Sequence, residues 1–138
     1  MKLLLDSNVL VASLISRGLC ADLVALVTSL HDIDRIRVLY CPAVAREVMR
    51  LLQGKLGANE TQIDFARRFF ATLSRVPDGT WTAPRNFPGP DDAPIIGAAL
   101  GAGAELFVTG DKALLALDRI EGLPLRSPRA AYIALRGL

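Results

Sequence analysis

Acidic side chains at four places in the sequence are the groups best suited to chemistry. They are Asp6, Glu47, the pair Asp91-Asp92, and Asp111. Carboxylates that converge repel one another, so folding them together is costly unless a cation lies between them. Their hard oxygen ligands suit Mg²⁺ or Mn²⁺. If the fold brings these acids together, they predict a divalent-cation site.

Asp6 and Asp111 carry the stronger individual signals because each ends a predicted strand. Ligands of open parallel sheets bind beyond the carboxyl ends of the strands. Asp6 directly follows three leucines, where a carboxylate needs a metal ion, hydrogen bonds or water to compensate it. Asp6 is also a candidate N-cap for the next helix, and Asp111, after Gly110, could either cap a helix or face a cation.

Glu47 and the pair Asp91-Asp92 carry weaker signals. Glu47 falls inside a predicted helix, where a glutamate is usually solvated. Asp91 and Asp92 precede a helix whose N-terminus favours acids for structural reasons alone. Capping and function explain this pair equally well, so only the joint pattern of all the acids argues for a site.

The sequence lacks the residues that several other kinds of site require. Cys20 and Cys41 lie among apolar neighbours without the spacing of zinc ligands, and we predict that both are buried thiols. No Gly-rich phosphate loop and no Gly-x-Ser-x-Gly motif is present. A phosphoryl-transfer enzyme with Asp6 as nucleophile would need a second acid close behind, but Ser7 and Asn8 stand there.

The elements that must position these acids alternate between strand and helix. Apolar runs predict strands at about 2–7, 37–41, 105–109 and 123–126. Helical spacing predicts helices at about 9–15, 19–30, 42–53, 59–73, 95–100 and 112–117, and another after Pro128. Residues 76–90 are rich in Pro and Gly and predict a loop with a short extended piece near Val76. Continuously apolar strands between helices indicate an α/β fold whose mainly parallel sheet is covered on both faces.

The bulk composition limits the kind of protein. A length of 138 residues with 51% hydrophobic residues predicts one domain over residues 1–138. No apolar run is long enough for a bilayer, and the start turns polar too soon for a signal peptide, so we expect a cytoplasmic protein that does not enter a membrane. The net charge of +2 becomes +7 when the five acids are set aside, which favours a polyanionic ligand.

Four sequence blocks resemble a known family. They are Leu3–Val11, Pro42–Val48, Pro90–Leu100 and Ala104–Leu115. Their content, order and spacing are similar to those of the PIN domain. The later segment Leu125–Pro128 is similar to the VapC-like branch, the toxins of toxin-antitoxin modules.

The resemblance implies a three-layer α/β/α Rossmann-like fold of about five parallel strands, and an endoribonuclease that uses Mg²⁺ or Mn²⁺. It implies four metal-binding acids, Asp6, Glu47, Asp92 and Asp111. It gives supporting roles to Thr109 and Asn8, and it favours Asp92 over Asp91 because the spacing from Asp92 to the next helix fits the family better. Ser7 stands where such sequences commonly have threonine, which keeps a hydroxyl.

The resemblance also implies partners. It implies an RNA substrate, a cognate antitoxin protein and a homodimer held by apolar helix surfaces. The alternative is a catalytically silent PIN-like module that binds RNA or protein. The arginines that would hold RNA stay open among Arg17, Arg46, Arg50, Arg85 and Arg119.

Overall fold

The computed structural model describes all residues from Met1 to Leu138. The strands are β1 (Lys2–Leu5), β2 (Arg37–Tyr40), β3 (Ser74–Arg75), β4 (Leu106–Val108), β5 (Arg119–Ile120) and β6 (Leu123–Arg126). The helices are α1 (Ser7–Ile15), α2 (Leu19–Asp32), α3 (Pro42–Gln53), α4 (Glu60–Ala71), α5 (Ala93–Gly101), α6 (Lys112–Leu115) and α7 (Pro128–Leu135). A short 3₁₀ turn over Pro90–Asp92 leads into α5.

The six strands form one sheet in the order β3-β2-β1-β4-β6-β5. All neighbouring strands are parallel except β5 and β6, which are antiparallel. From β1 the chain builds the sheet outward through β2 to β3, and then returns to place β4 on the other side of β1. Such a reversal opens a crevice beyond the carboxyl ends of the two central strands, which is where α/β sheets bind ligands.

The two central strands are buried on both faces. Every residue of β4 and all of Leu3, Leu4 and Leu5 in β1 are buried, so helices must cover the sheet above and below. Helix α1 packs on α2 and α3, and α2 packs on α7. The three-layer α/β/α architecture with a mainly parallel sheet is therefore confirmed.

Two helix starts follow their sequence signals closely. Helix α3 begins at Pro42, which suits the first turn because proline has no backbone N–H to satisfy there. At the start of α4 the Asn59 side chain accepts a hydrogen bond from the Gln62 backbone N–H, and the Gln62 side chain accepts one from the Asn59 N–H. This capping box confirms the predicted start of α4.

Other local predictions were wrong in detail. Strand β1 ends at Leu5 and α1 already begins at Ser7, because Asp6 caps that helix. Helix α2 continues through Asp32, so the chain break lies later than predicted. The predicted burial of the two thiols is confirmed for Cys41, where burial raises the pKa of the thiol to about 11, and is wrong for Cys20, which is only partly buried.

Strand β5 was not predicted. It pairs with β6 through the two-residue turn Glu121-Gly122, and both turn residues have positive φ, 47° and 85°. Positive φ at both positions is the pattern of a type I′ hairpin turn. Glutamate rarely adopts a positive φ angle, so no local sequence pattern predicts this hairpin.

The irregular segment between β3 and the 3₁₀ turn crosses α5 at very short range. The Gly79 backbone N–H donates to the Pro94 carbonyl oxygen at 2.9 Å. A Cβ atom on Gly79 would lie 1.9 Å from the backbone of Gly97 in α5. The segment can therefore lie here only because both positions are glycine.

No single helix is long and apolar enough to cross a bilayer, and α1 and α2 reach the required length only as a pair that is bent by 105°.

Candidate active site

Asp6 is buried at the carboxyl end of β1, in the crevice between β1 and β4. Its side chain is only 3% exposed, and its backbone N–H donates to the Val108 carbonyl oxygen of β4 at 2.8 Å. One carboxylate oxygen accepts a hydrogen bond from the Ser7 backbone N–H at 2.8 Å. The other accepts one from the Thr109 hydroxyl at 2.7 Å and a longer one from the Asn8 amide at 3.4 Å. The carboxylate thus caps α1 and faces the crevice at once.

The pKa of Asp6 reflects this position. Burial is the main cause that raises the pKa of its carboxyl group above the ordinary value, and the nearby Glu47 charge raises it further. The hydrogen bonds from Thr109 and Ser7 act in the opposite direction because they favour the ionised form. Asp6 is therefore a carboxylate whose charge needs compensation from its surroundings.

Thr109 and Asn8 join the ends of the two central strands. The Thr109 side chain is fully buried; its hydroxyl donates to Asp6 and accepts from the Asp111 backbone N–H at 3.1 Å. The Asn8 side chain bridges from Asp6 to the Gly110 backbone N–H, which donates to it at 3.2 Å. Both residues thus touch the Asp6 carboxylate, as their predicted supporting roles require.

Glu47 reaches this cluster from α3. Its side chain is half-buried rather than solvated, and it accepts a hydrogen bond from the Ser7 hydroxyl at 2.7 Å. The same hydroxyl lies 3.4 Å from Asp6. Ser7, itself buried, contacts both carboxylates, whereas sequence analysis noted its hydroxyl at the family's usual threonine position without giving it a role in the site.

The acidic pair divides into two different residues. Asp91 is exposed, whereas Asp92 is partly buried. Burial is the main cause that raises the pKa of Asp92 to about 7, followed by the charges of the other acids, Asp6, Glu47, Asp111 and Asp91. Asp92 stands at the N-cap position of α5, but its side chain makes no capping hydrogen bond. Capping therefore does not account for the Asp92 side chain.

Asp111 caps the short helix α6 and keeps one oxygen free. Its Oδ1 accepts from the backbone N–H groups of Ala113 and Leu114 at 2.8 and 3.3 Å, while Oδ2 has no hydrogen-bond partner. Asp111 therefore caps a helix with one oxygen and leaves its second oxygen without a partner in the protein.

These acids form one electrostatic group, but they do not form a ready-made metal site. All the other acids contribute to the raised pKa of Asp92, so each of them lies within electrostatic range of Asp92. No three acidic, histidine or cysteine side chains are arranged to hold a metal ion by themselves. Mg²⁺ usually binds through only one or two carboxylates and retains several waters. The oxygen-only set and its mutual repulsion therefore fit a hard, partly hydrated divalent cation.

Two of the five candidate arginines are already in contact with acids. Arg46 forms an ion pair with Asp78 at 3.2 Å, and Arg119 lies 3.9 Å from Asp118. Arg17, Arg50 and Arg85 are exposed and form no ion pair, so they are the cations free to meet a phosphate backbone.

Comparison with known proteins agrees with this geometry. The sequence profile of the PIN domain matches residues 2–113, which include every acid of the site. A search of curated proteins finds no match. The matched segment spans most of the chain, and it includes both central strands and the crevice between them. The chain therefore belongs to the PIN domain family, a family of nuclease type.

Proposed function

We propose that this protein is an endoribonuclease that cleaves RNA phosphodiester bonds with Mg²⁺ or Mn²⁺. The observation that carries the proposal is the Asp6 carboxylate, which is buried where the strand order of the sheet reverses. It accepts hydrogen bonds from Ser7, Thr109 and Asn8, and further acids lie near it. Such a concentration of negative charge suits a divalent cation and, through it, a phosphate. The net charge of +7 outside the five acids favours contact with the other phosphates of the RNA backbone.

The proposed metal-binding residues are Asp6, Glu47, Asp92 and Asp111. Asp91, the exposed neighbour of Asp92, is a further candidate ligand. A bound divalent cation supplies positive charge for the scissile phosphate and acidity for the attacking water. Thr109, Ser7 and Asn8 hold Asp6 in place, and Ser7 also holds Glu47. Without a cation, burial and the neighbouring acids raise the pKa of the Asp92 carboxyl group to about 7, and a bound cation would favour its ionised form.

The proposal extends to the cellular role through the resemblance to VapC-like sequences. On that basis the chain acts as the toxin of a type II toxin-antitoxin module, with a cognate antitoxin protein and a homodimeric form. Exposed apolar side chains such as Ile15 and Ile133, each about half exposed, are suited to protein contacts. Residues 1–138 would act as one domain, since the buried apolar side chains form one connected cluster.

The test is cleavage of structured RNA by the purified protein with Mg²⁺ or Mn²⁺. The variants Asp6→Asn and Asp111→Asn should lose cleavage by about a hundredfold or more, because removal of a group that acts on the reacting phosphate costs several kcal/mol. The matched control is Asp64→Asn, on the exposed surface of α4, which should cleave like the wild type.

Two results would contradict the proposal. One is cleavage that survives both site substitutions, and the other is cleavage that persists in chelator. Binding of RNA by the wild type without any cleavage would favour the silent PIN-like module instead.

A further inference from the structure

A groove of about 440 Å³ lies on the surface formed by the 81–88 segment and the β5 hairpin. Its walls include the aromatic residues Trp81 and Phe87 and the aliphatic residues Leu117 and Ile120. This volume falls within the range of about 300–1,000 Å³ that is usual for sites of small organic groups. The groove contains none of the acids of the proposed active site.

The two aromatic rings are held in a fixed arrangement. The ring centroids of Trp81 and Phe87 are 5.1 Å apart and the planes meet at 80°, edge to face. The Trp81 indole N–H donates a hydrogen bond to the Glu121 carboxylate of the hairpin. The groove therefore has a wall of two aromatic rings that contact each other edge to face.

Polar and basic groups surround the apolar walls. Thr82 and Asn86 line the groove and offer both donors and acceptors. Arg119 lines it as well, and Arg85, exposed and without an ion pair, lies in the chain between two lining residues, Pro84 and Asn86. Aromatic faces flanked by hydrogen-bonding groups and arginines are the features that recognise unpaired bases and their phosphates.

The groove is continuous with the acidic site along two segments of chain. Pro88 lines the groove, and the next residue, Gly89, lies so close to Asp92 that a Cβ atom there would be 2.6 Å from its carboxylate. Leu117 lines the other wall and follows the short helix α6, which Asp111 caps. Only a few residues of chain therefore separate the groove from Asp92 on one side and from Asp111 on the other.

We propose that this groove binds a base of single-stranded RNA next to the phosphate that is cut. The inference rests on the proposed function, because it assigns to that nuclease a subsite for one base of its substrate. A single strand is required, since bases in duplex RNA stay stacked inside the helix. Arg119 lines the groove and favours RNA over an apolar protein segment, because a phosphate beside the base would compete with Asp118 for its charge.

The experiment uses the fluorescence of Trp81, which is the only tryptophan in the chain. Single-stranded oligoribonucleotides are titrated into the protein in chelator, which prevents cleavage, and total binding is followed by anisotropy of a labelled oligonucleotide. We expect saturable quenching of Trp81 by the single strand. Phe87→Leu should weaken the binding about tenfold, the usual effect of losing one stacking partner.

Two controls isolate the groove. Phe65→Leu makes the same change at an exposed phenylalanine of α4 outside the groove, and it should leave the binding unchanged. The second control keeps the wild-type protein and replaces the oligonucleotide with an abasic one of equal charge, which should bind without quenching. This arm holds even if Phe87→Leu fails to fold.

Distinct results overturn the proposal. The first is RNA binding without a change in Trp81 fluorescence, and the second is equal quenching by the abasic strand or by duplex RNA. The third is a Trp81 signal that changes with protein concentration and not with RNA concentration, which would assign the groove to self-association. RNA cleavage without quenching would overturn the base site and leave the nuclease, whereas quenching without cleavage would do the reverse.

Discussion

The Ser7 hydroxyl links two carboxylates that come from different elements. It donates to Glu47 of α3 at 2.7 Å and lies 3.4 Å from Asp6 at the end of β1. Because Ser7 is buried, no water replaces this bond without rearrangement. Ser7 is therefore a positioning residue for Glu47 in the proposed nuclease.

Replacement of Ser7 tests that role. Ser7→Ala should lower kcat for RNA cleavage about tenfold, the usual cost of removing a group that orients a metal-binding side chain. Ser7→Thr keeps the hydroxyl and should restore most of the activity. Ser16→Ala removes an exposed hydroxyl that bonds only within its own helix, and it should have no effect. Equal activity of Ser7→Ala and the wild type would show that Glu47 needs no such support.

Asp92 makes stability depend on pH when no metal is bound. Its folded-state pKa is about 7, against 3.8 as the ordinary value. At pH values between 3.8 and about 7, Asp92 keeps its proton in the folded protein but has lost it in the unfolded chain. The free energy of unfolding therefore decreases as the pH rises through this range. In chelator, Asp92→Asn should therefore melt a few degrees above the wild type at pH 8 and lose that advantage near pH 4.

Added Mg²⁺ should reduce the difference at pH 8, since a cation offsets the charge of the wild-type carboxylate. Asp91→Asn is the matched control, because Asp91 is exposed and is the smallest of the charge contributions to the Asp92 pKa. A melting difference for Asp92→Asn that is the same at both pH values would contradict the assigned cause.

At the residue scale, sequence analysis singled out acids that the structure brings close together, but it could not decide how each side chain is used. Capping and a cation site were posed as alternatives, yet Asp6 and Asp111 each cap a helix with one oxygen and leave the other oxygen outside that cap. A carboxylate has several lone pairs, so one oxygen can cap a helix while another faces a ligand. The role of Ser7 depends on a contact with a residue 40 positions away, which no local pattern contains.

At the element scale, the close crossing of the 76–90 segment over α5 fixes both the acidic site and the groove. A Cβ atom on Gly97 would lie 2.9 Å from Gly79 Cα and from the Trp81 backbone nitrogen. The same helix begins directly after Asp92. A shift of this crossing would therefore move Asp92 and Trp81 relative to each other.

Two glycines of one helix test this crossing. Gly97→Ala should destabilise the protein by about 1–3 kcal/mol, the usual cost of forcing an extra carbon into a packed interior. Gly101→Ala, in the same helix, meets open space and should be neutral or stabilising by up to about 1 kcal/mol, because alanine has the higher helix propensity. Denaturant unfolding measures both, and equal effects at the two positions would contradict the close contact.

Sequence patterns predicted the long elements better than the short ones. Helices α3 and α4 carry a terminal proline and a capping box, which are signals local to the chain. Strand β5 has two residues and exists because Ile120 pairs with Leu123 across the hairpin. That pairing depends on backbone conformations that glutamate rarely adopts, so tertiary packing decides it.

At the scale of the whole molecule, sheet order determines where charge accumulates. The reversal of strand order between β1 and β4 places the acids in one crevice, while the remaining residues carry a net charge of +7. Sequence analysis predicted the α/β class and the parallel sheet from strand and helix alternation. It could not supply the strand order, because pairing between distant strands leaves no local pattern, and the order is what makes the acids neighbours.

We expect the crevice between β1 and β4 to bind a divalent cation. Anomalous scattering from crystals soaked in Mn²⁺ is the best test, since Mn²⁺ is one of the two proposed metals and its position can be seen without any assay. A manganese peak should lie within direct ligand distance of the Asp6 carboxylate in the wild type, and no peak should lie there in Asp6→Asn. Manganese found only at other surfaces of the wild-type protein would show that the crevice is not a metal site.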